Sequence, residues 1–208
     1  GYLHKLLEAG FRVAVAEQME DPATARGLVR REIIRTYTPG TVTDGVLLDD
    51  GERCFLAACG GDGDSLALAW LELSTGAFAG MSCPDPASLS EQLAQVRPRE
   101  LLVAEGWDGW VGSWPAELRR PTVTPLEAAT FSPSAGEQRL RRVLGVGSLR
   151  GFGLSPGERL VGMAGALVAY VESTQRGNLS HLRRFTRHHP GDALVLDRAT
   201  LRNLEVER

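Results

Sequence analysis

Lysine is almost missing from this 208-residue chain: Lys5 stands alone against 22 arginines. A nucleotide-binding P-loop needs a lysine after glycine, followed by Ser or Thr, and Lys5 lies in His-Lys-Leu, so that kind of site is excluded. The arginine excess reads as codon bias in a GC-rich genome and not as a nucleic-acid signal. Cysteine is scarce, with Cys54, Cys59 and Cys83 showing no CxxC spacing, which argues against a disulfide scaffold and a zinc site. All three lie in apolar runs and are read as small core residues in a reducing cytoplasm. No GxSxG serine elbow is present. His188 and His189 are adjacent, so on a regular element they point apart, and a metal is not expected there. There is no secretory signal and no apolar run of membrane-spanning length, so no membrane association is expected. The first residues also lack an initiating methionine and a helix cap. Helical periodicity is already under way at Leu3, Leu6 and Leu7, so the chain is expected to be a piece of a longer protein.

What is present is unevenly distributed. Residues 1–43 carry six bases and five acids, residues 44–131 five bases and fourteen acids, and residues 132–208 twelve bases and seven acids. The acidic middle repels phosphate and makes a poor DNA surface. It reads as a solvated face or as a docking face for a basic partner.

In chain order, residues 2–9 form the end of an amphipathic helix stopped by Gly10. Phe11–Ala16 and Arg31–Thr38 are strands with a short helix between them, started by Asp21-Pro22 and ended at Gly27. Thr38-Pro39-Gly40-Thr41 closes this unit as a turn. Asp44–Glu52 reads as a linker. Three strands follow, Cys54–Ala58, Leu66–Leu73 and Ala77–Cys83, joined by the hairpin-length pieces Gly60–Asp64 and Ser74–Gly76. Asp85-Pro86 starts a helix with Leu89, Leu93 and Val96 on one face, ended by Pro98. Leu101–Ala104 is a short apolar strand of the kind buried in a parallel sheet. Residues 107–118, with three tryptophans, read as a surface helix and loop, and Val123 marks another strand. Ser134 and Glu137 suggest a capping box for a helix ending at Gly145. Ser155-Pro156-Gly157-Glu158 reads as the start of a long helix reaching Arg176. Its small residues, including Gly162 and Gly165, permit close approach of a neighbour. Arg183, Arg184, Arg187, His188 and His189 form a basic cluster, read as a phosphate-facing or solvated loop. Ala193–Leu196 is a short strand, and Arg198–Glu205 begins a helical segment.

Three antiparallel strands followed by helix, strand, helix, strand and helix is the order of the RNase H-like fold. The expected class is therefore α/β, a mixed sheet flanked by helices, preceded by the end of a small α/β domain. That fold raises the alternative of a metal-dependent nuclease, with Glu72 near a strand end and Asp62, Asp64, Glu100 and Glu105 within reach. The bland alternative makes Glu72 a turn-capping residue. Among the bases, Arg26, Arg30, Arg31 and Arg35 are either phosphate contacts or salt-bridge partners of Glu17, Glu20 or Glu32.

An ordered set of short motifs adds a family resemblance. Ala16-Glu17-Gln18, Asp21-Pro22, Gly27-Leu28-Val29, Arg31 and Thr38-Pro39-Gly40-Thr41 resemble the MutS family of DNA mismatch-repair proteins. The likeness continues through Phe55–Ala58, Leu73–Gly76, Arg97-Pro98 with Glu100-Leu101-Leu102, Gly151–Gly153, Ala164–Leu167 with Tyr170, Thr174-Gln175 and Leu196-Asp197 with Arg202–Glu205. The resemblance implies that residues 1–45 end a mismatch-binding domain, 46–187 form a non-catalytic RNase H-like connector, and 188–208 begin a helical core. It implies no catalytic residue, metal or cofactor here, with ATP and magnesium belonging to the intact parent, a DNA-dependent ATPase. It also implies mismatched double-stranded DNA and MutL as partners, and a homodimer when intact. Arg31, with Arg30, resembles a position directed at the DNA backbone. Gln138 and Arg139 resemble a surface that docks MutL.

Overall fold

The computed structural model describes residues 2–20, 28–43, 53–62, 65–109, 114, 118–175, 179 and 181–189. The expected helix at Asp21–Gly27, the linker at 44–52 and the elements after His189 lie outside the described residues.

The first unit is a helix, α1 (Tyr2–Glu8), and an antiparallel hairpin of β1 (Val13–Gln18) and β2 (Arg31–Tyr37). Its register shifts between Val15 and Ala16. Leu7, Val42 and Cys54 form its small buried core, with Leu3, Val13 and Tyr37 packed against them.

The body is a six-stranded mixed sheet. β3 (Phe55–Asp62), β4 (Ser65–Glu72) and β5 (Ala77–Cys83) are antiparallel neighbours. Helix α2 (Pro86–Val96) then carries the chain to β6 (Glu100–Ala104), which lies parallel to β3, and β7 (Thr122–Leu126) lies parallel to β6. A 3₁₀ turn (Ala128–Phe131), α3 (Pro133–Leu144), a second 3₁₀ turn (Arg150–Phe152), α4 (Arg159–Thr174) and β8 (Thr186–Arg187) complete the body. The strand order is β7-β6-β3-β4-β5-β8. This is the expected α/β class, with the five principal strands in the RNase H-like order.

Strand alternation sends side chains to two cores. Leu56, Ala58, Ala67, Ala69, Leu71 and Leu102 meet α3 and α4 on one face. Ala57, Cys59, Leu68, Trp70, Leu101 and Val103 meet α2 on the other. Both faces of the sheet are therefore dry, which explains its near-continuous apolar strands.

The α2 signals hold. Asp85 accepts the Ser88 backbone N–H at 2.7 Å, and Pro86 follows it in the first turn. Arg97, before Pro98, leaves the helix at φ 48°, in the left-handed region. The start of α4 differs from expectation. Gly157 stands at φ +81°, so Ser155–Glu158 forms a turn in which Ser155 N–H donates to the Glu158 carboxylate, and the helix begins at Arg159. The start of α3 also differs: Ser132 precedes Pro133 at the first helical position, and no capping box forms at Ser134. Gly145 ends α3 as read.

Trp114 is a core residue and Trp107 packs half-buried against the same core, and neither is part of a surface helix. Their indole N–H groups donate to the Gly61 and Leu118 carbonyls. β8 has no expected counterpart. It is two residues long, too short for a periodic signal, and exists only through its pairing with β5.

Helices α3 and α4 touch through glycine. A Cβ on Gly165 would lie 2.2 Å from Gly136 Cα, and one on Gly136 2.3 Å from the Val161 carbonyl oxygen. Gly165→Ala must push the helices apart, at an expected cost of about 1–3 kcal/mol by overpacking, read as a lower denaturant midpoint. The thiols give a second test. Burial pushes Cys83 up to about 12, with Asp85 adding to it, and raises Cys59 further, with Cys83 adding. Cys54 is buried and donates to the Pro39 carbonyl. Iodoacetamide at pH 8 is expected to label none of the three until denaturant is added.

Candidate functional site: two surfaces and a buried joint

The two base positions proposed for the DNA backbone lie at the far end of the hairpin. Arg31 opens β2 opposite Gln18. Its side chain is exposed and makes no hydrogen bond or ion pair among the described residues. Arg30 is exposed and pairs with Glu32, two residues on. Met19, Leu28 and Ile33 are exposed around them. Arg35, alternate to Arg31 along β2, is used differently. Its guanidinium donates to Thr43 Oγ1 at 2.7 Å and lies over the Tyr37 ring at 4.5 Å. Arg26 lies outside the described residues.

The second surface is on α3. Gln138 is exposed, but Arg139 is half-buried and donates to the Thr130 carbonyl at 2.9 Å, tying α3 to the preceding 3₁₀ turn. Arg142 is held in a two-pronged pair with Glu172 of α4, at 2.7 Å to each oxygen. Arg141 shares the exposed face with Gln138, three residues away along the helix. Sequence reasoning passed over Arg141, although the 3.6-residue period from Gln138 locates it.

Between these surfaces sits Glu100, fully buried at the start of β6. Its Oε2 accepts from Thr38 Oγ1 at 2.5 Å and from the Gly40 backbone N–H at 2.9 Å. Its Oε1 accepts from Thr124 Oγ1 at 2.7 Å and from Tyr170 Oη at 2.5 Å. The Thr38–Thr41 turn is thus docked on a carboxylate some sixty residues away in sequence. Thr38 and Thr41 are themselves buried, with their hydroxyls 2.9 Å apart. Burial, and then the Glu100 charge, push the Tyr170 hydroxyl above the ordinary tyrosine range. The Arg12 guanidinium lies 5.2 Å from the Tyr170 ring centroid.

The described acids do not assemble into a metal site, and Asp64 lies outside the described residues. Glu72 and Glu100 lie at the end of the sheet where β3 begins, paired in register with Phe55 and Leu56. Asp62 lies at the other end and pairs with Arg159 at 2.7 Å. Glu72 accepts from Thr75 Oγ1 at 2.7 Å, as a turn-capping residue does. No group of three or more His, Cys, Asp or Glu that could hold a metal occurs among the described residues. The basic cluster also divides. Arg187 binds Glu158 at 2.8 and 3.0 Å, and the His188 ring lies 5.4 Å from that of Trp70.

A family model described as MutS domain I matches residues 1–46, and one described as MutS domain II matches residues 54–183. The chain belongs to the MutS family. The DNA mismatch repair protein MutS of Cereibacter sphaeroides (strain ATCC 17025) is 45% identical over 215 residues, covering 99% of this chain and 23% of that protein. The protein of the same name from Dinoroseobacter shibae is 44% identical, covering 99% of this chain and 24% of its own length. That of Myxococcus xanthus is 39% identical, covering 100% and 24%. The chain thus spans about a quarter of the length of these MutS relatives. The joint at Glu100 falls between the two MutS matches, with Thr38 and Gly40 in the first and Glu100, Thr124 and Tyr170 in the second. No described helix is long and apolar enough to cross a membrane.

With its acids split between two ends of the sheet, the chain is expected to cleave neither single- nor double-stranded nucleic acid in magnesium. Cleavage abolished by Glu72→Gln would restore the nuclease alternative.

Proposed function

We propose that this chain is the non-catalytic connector of a mismatch-recognition protein, joining a DNA-contacting hairpin to a helical surface that docks MutL. On this reading residues 1–45 close the mismatch-binding domain, 46–187 are the connector, and 188–208 open the helical core. The single observation that carries it is the Glu100 joint. It binds the two MutS-matched regions together through buried hydrogen bonds, while the acids needed for nuclease chemistry stand apart. ATP and magnesium belong, on the same reading, to other parts of a cytoplasmic, homodimeric parent.

Arg31 supports the DNA contact because its cation is exposed and, among the described residues, not engaged in another pair. Arg30 is a weaker contact because Glu32 competes for it. Gln138 and Arg141 support the docking surface by their exposure, whereas Arg139 serves α3 itself.

In the intact parent, Arg31→Ala is expected to weaken binding to matched and mismatched DNA alike and to lower the salt dependence of log K by about one unit of slope. An unchanged slope would remove Arg31 from the interface. Gln138→Glu combined with Arg141→Glu is expected to reduce MutL capture at least tenfold with an unchanged melting temperature. Full capture by that double variant would move the docking surface off α3.

A further inference from the structure

Glu100 grips the hairpin unit with one oxygen and the body with the other. The Oε2 contacts, Thr38 Oγ1 and Gly40 N–H, belong to the turn that ends the hairpin. The Oε1 contacts, Thr124 Oγ1 and Tyr170 Oη, belong to β7 and α4. All four partners donate. A carboxylate satisfies them because both of its oxygens accept, whereas an amide accepts at one atom and presents N–H at the other.

The seat is also closed sterically. A Cβ on Gly40 would lie 2.7 Å from Glu100 Cβ and 2.9 Å from Leu56 Cδ1, so the turn sits against the strand with no side chain between them. Beside it the buried Cys54 thiol, just before β3, donates to the Pro39 carbonyl, and the other hydrogen bonds described between hairpin unit and body lie nearer the surface. Gln175 meets Arg35 in a single bridge and donates to the Thr41 carbonyl at 2.8 Å, and Arg119 donates to the Glu8 carbonyl. A two-stranded hairpin is marginal by itself in water, so its order depends on what it is docked to.

We propose that Glu100 is a positioning residue: its carboxylate locks the hairpin that carries Arg30 and Arg31 onto the sheet, so that hairpin and α3–α4 move as one body. Tyr170 lies on α4, and α4 packs on α3 through Gly165 and Gly136. The orientation of Arg31 relative to Gln138 is therefore set at one buried group. The lock does not depend on whether those residues touch DNA or MutL.

Hydrogen exchange of the full chain, followed by mass spectrometry, tests the lock directly. Thr38→Val removes the hairpin's hydroxyl and leaves Glu100 its other three donors. Amides of β1 and β2 are expected to exchange at least tenfold faster in Thr38→Val and in Glu100→Gln, while those of β4 and α4 keep their protection. Thr38→Ser keeps the hydroxyl and is expected to keep the hairpin protected. Unchanged hairpin exchange in Thr38→Val would overturn the proposal. So would protection lost equally from β4 and α4, or a serine variant as labile as the valine one. If Glu100→Gln does not fold, the valine and serine pair decides the matter. Because the readout is exchange and not DNA affinity, failure of the lock and failure of the DNA contact are separately visible.

Discussion

A buried carboxylate must be matched, and Glu100 places that demand at the centre of this molecule. Moving an anion out of water costs several kcal/mol even after relaxation, and leaving a buried group without a hydrogen-bond partner costs about 1–3 kcal/mol, more where the group is charged. Here the demand is met by four donors from three elements: the turn that supplies the Thr38 hydroxyl and the Gly40 N–H, β7 and α4. Each donor must be delivered to within hydrogen-bond distance, so each element's position is constrained by the same group. The constraint explains why the turn ending the hairpin has glycine where it faces Glu100, and why α4 presents a tyrosine there. A large apolar group at either place would leave the carboxylate partly unmatched.

The rest of the sheet presents no convergent cluster of acids among the described residues. It is covered by α2 on one face and α4 on the other, and its acids are split between its ends. The strand order suits a nuclease, but chemistry depends on convergent groups and not on strand order. The exposed polar groups proposed to meet partners lie instead on the hairpin and on α3. Between them runs a path of direct contacts through Thr38, Glu100, Tyr170 and the glycine contact of α4 with α3. Close glycine packing leaves little room for one helix to slide over the other, so displacements at one end are passed on and not absorbed.

Local features were legible wherever the physics is local. Asp85-Pro86 starts a helix because the cap is made within three residues, and Gly145 ends one because the left-handed position is a property of one residue. The apolar run Leu101–Ala104 read as a strand buried in a parallel sheet, and β6 lies buried and parallel to both β3 and β7. Signals failed where two local devices competed. Ser155-Pro156-Gly157-Glu158 contains every helix-start residue, but Gly157 turns the chain and the Glu158 side chain closes that turn. Ser132-Pro133 wins over Ser134 because proline suits the first helical position and Ser134 lies inside.

The amino-acid sequence by itself determined the family, the α/β class and the order of the strands, because periodicity, caps and short motifs are all written over neighbouring residues. It also marked the Thr38–Thr41 turn as a boundary. Tertiary structure alone decided what that turn is for. Thr38 and Glu100 are sixty-two residues apart, and no pattern in either stretch names the other. The same holds for β8, which is defined by pairing, and for Trp107 and Trp114, whose indoles found backbone carbonyls, distant at Gly61 and local at Leu118. Folding brought Glu100 into a dry space, and a dry carboxylate accepts only the arrangement that surrounds it with donors.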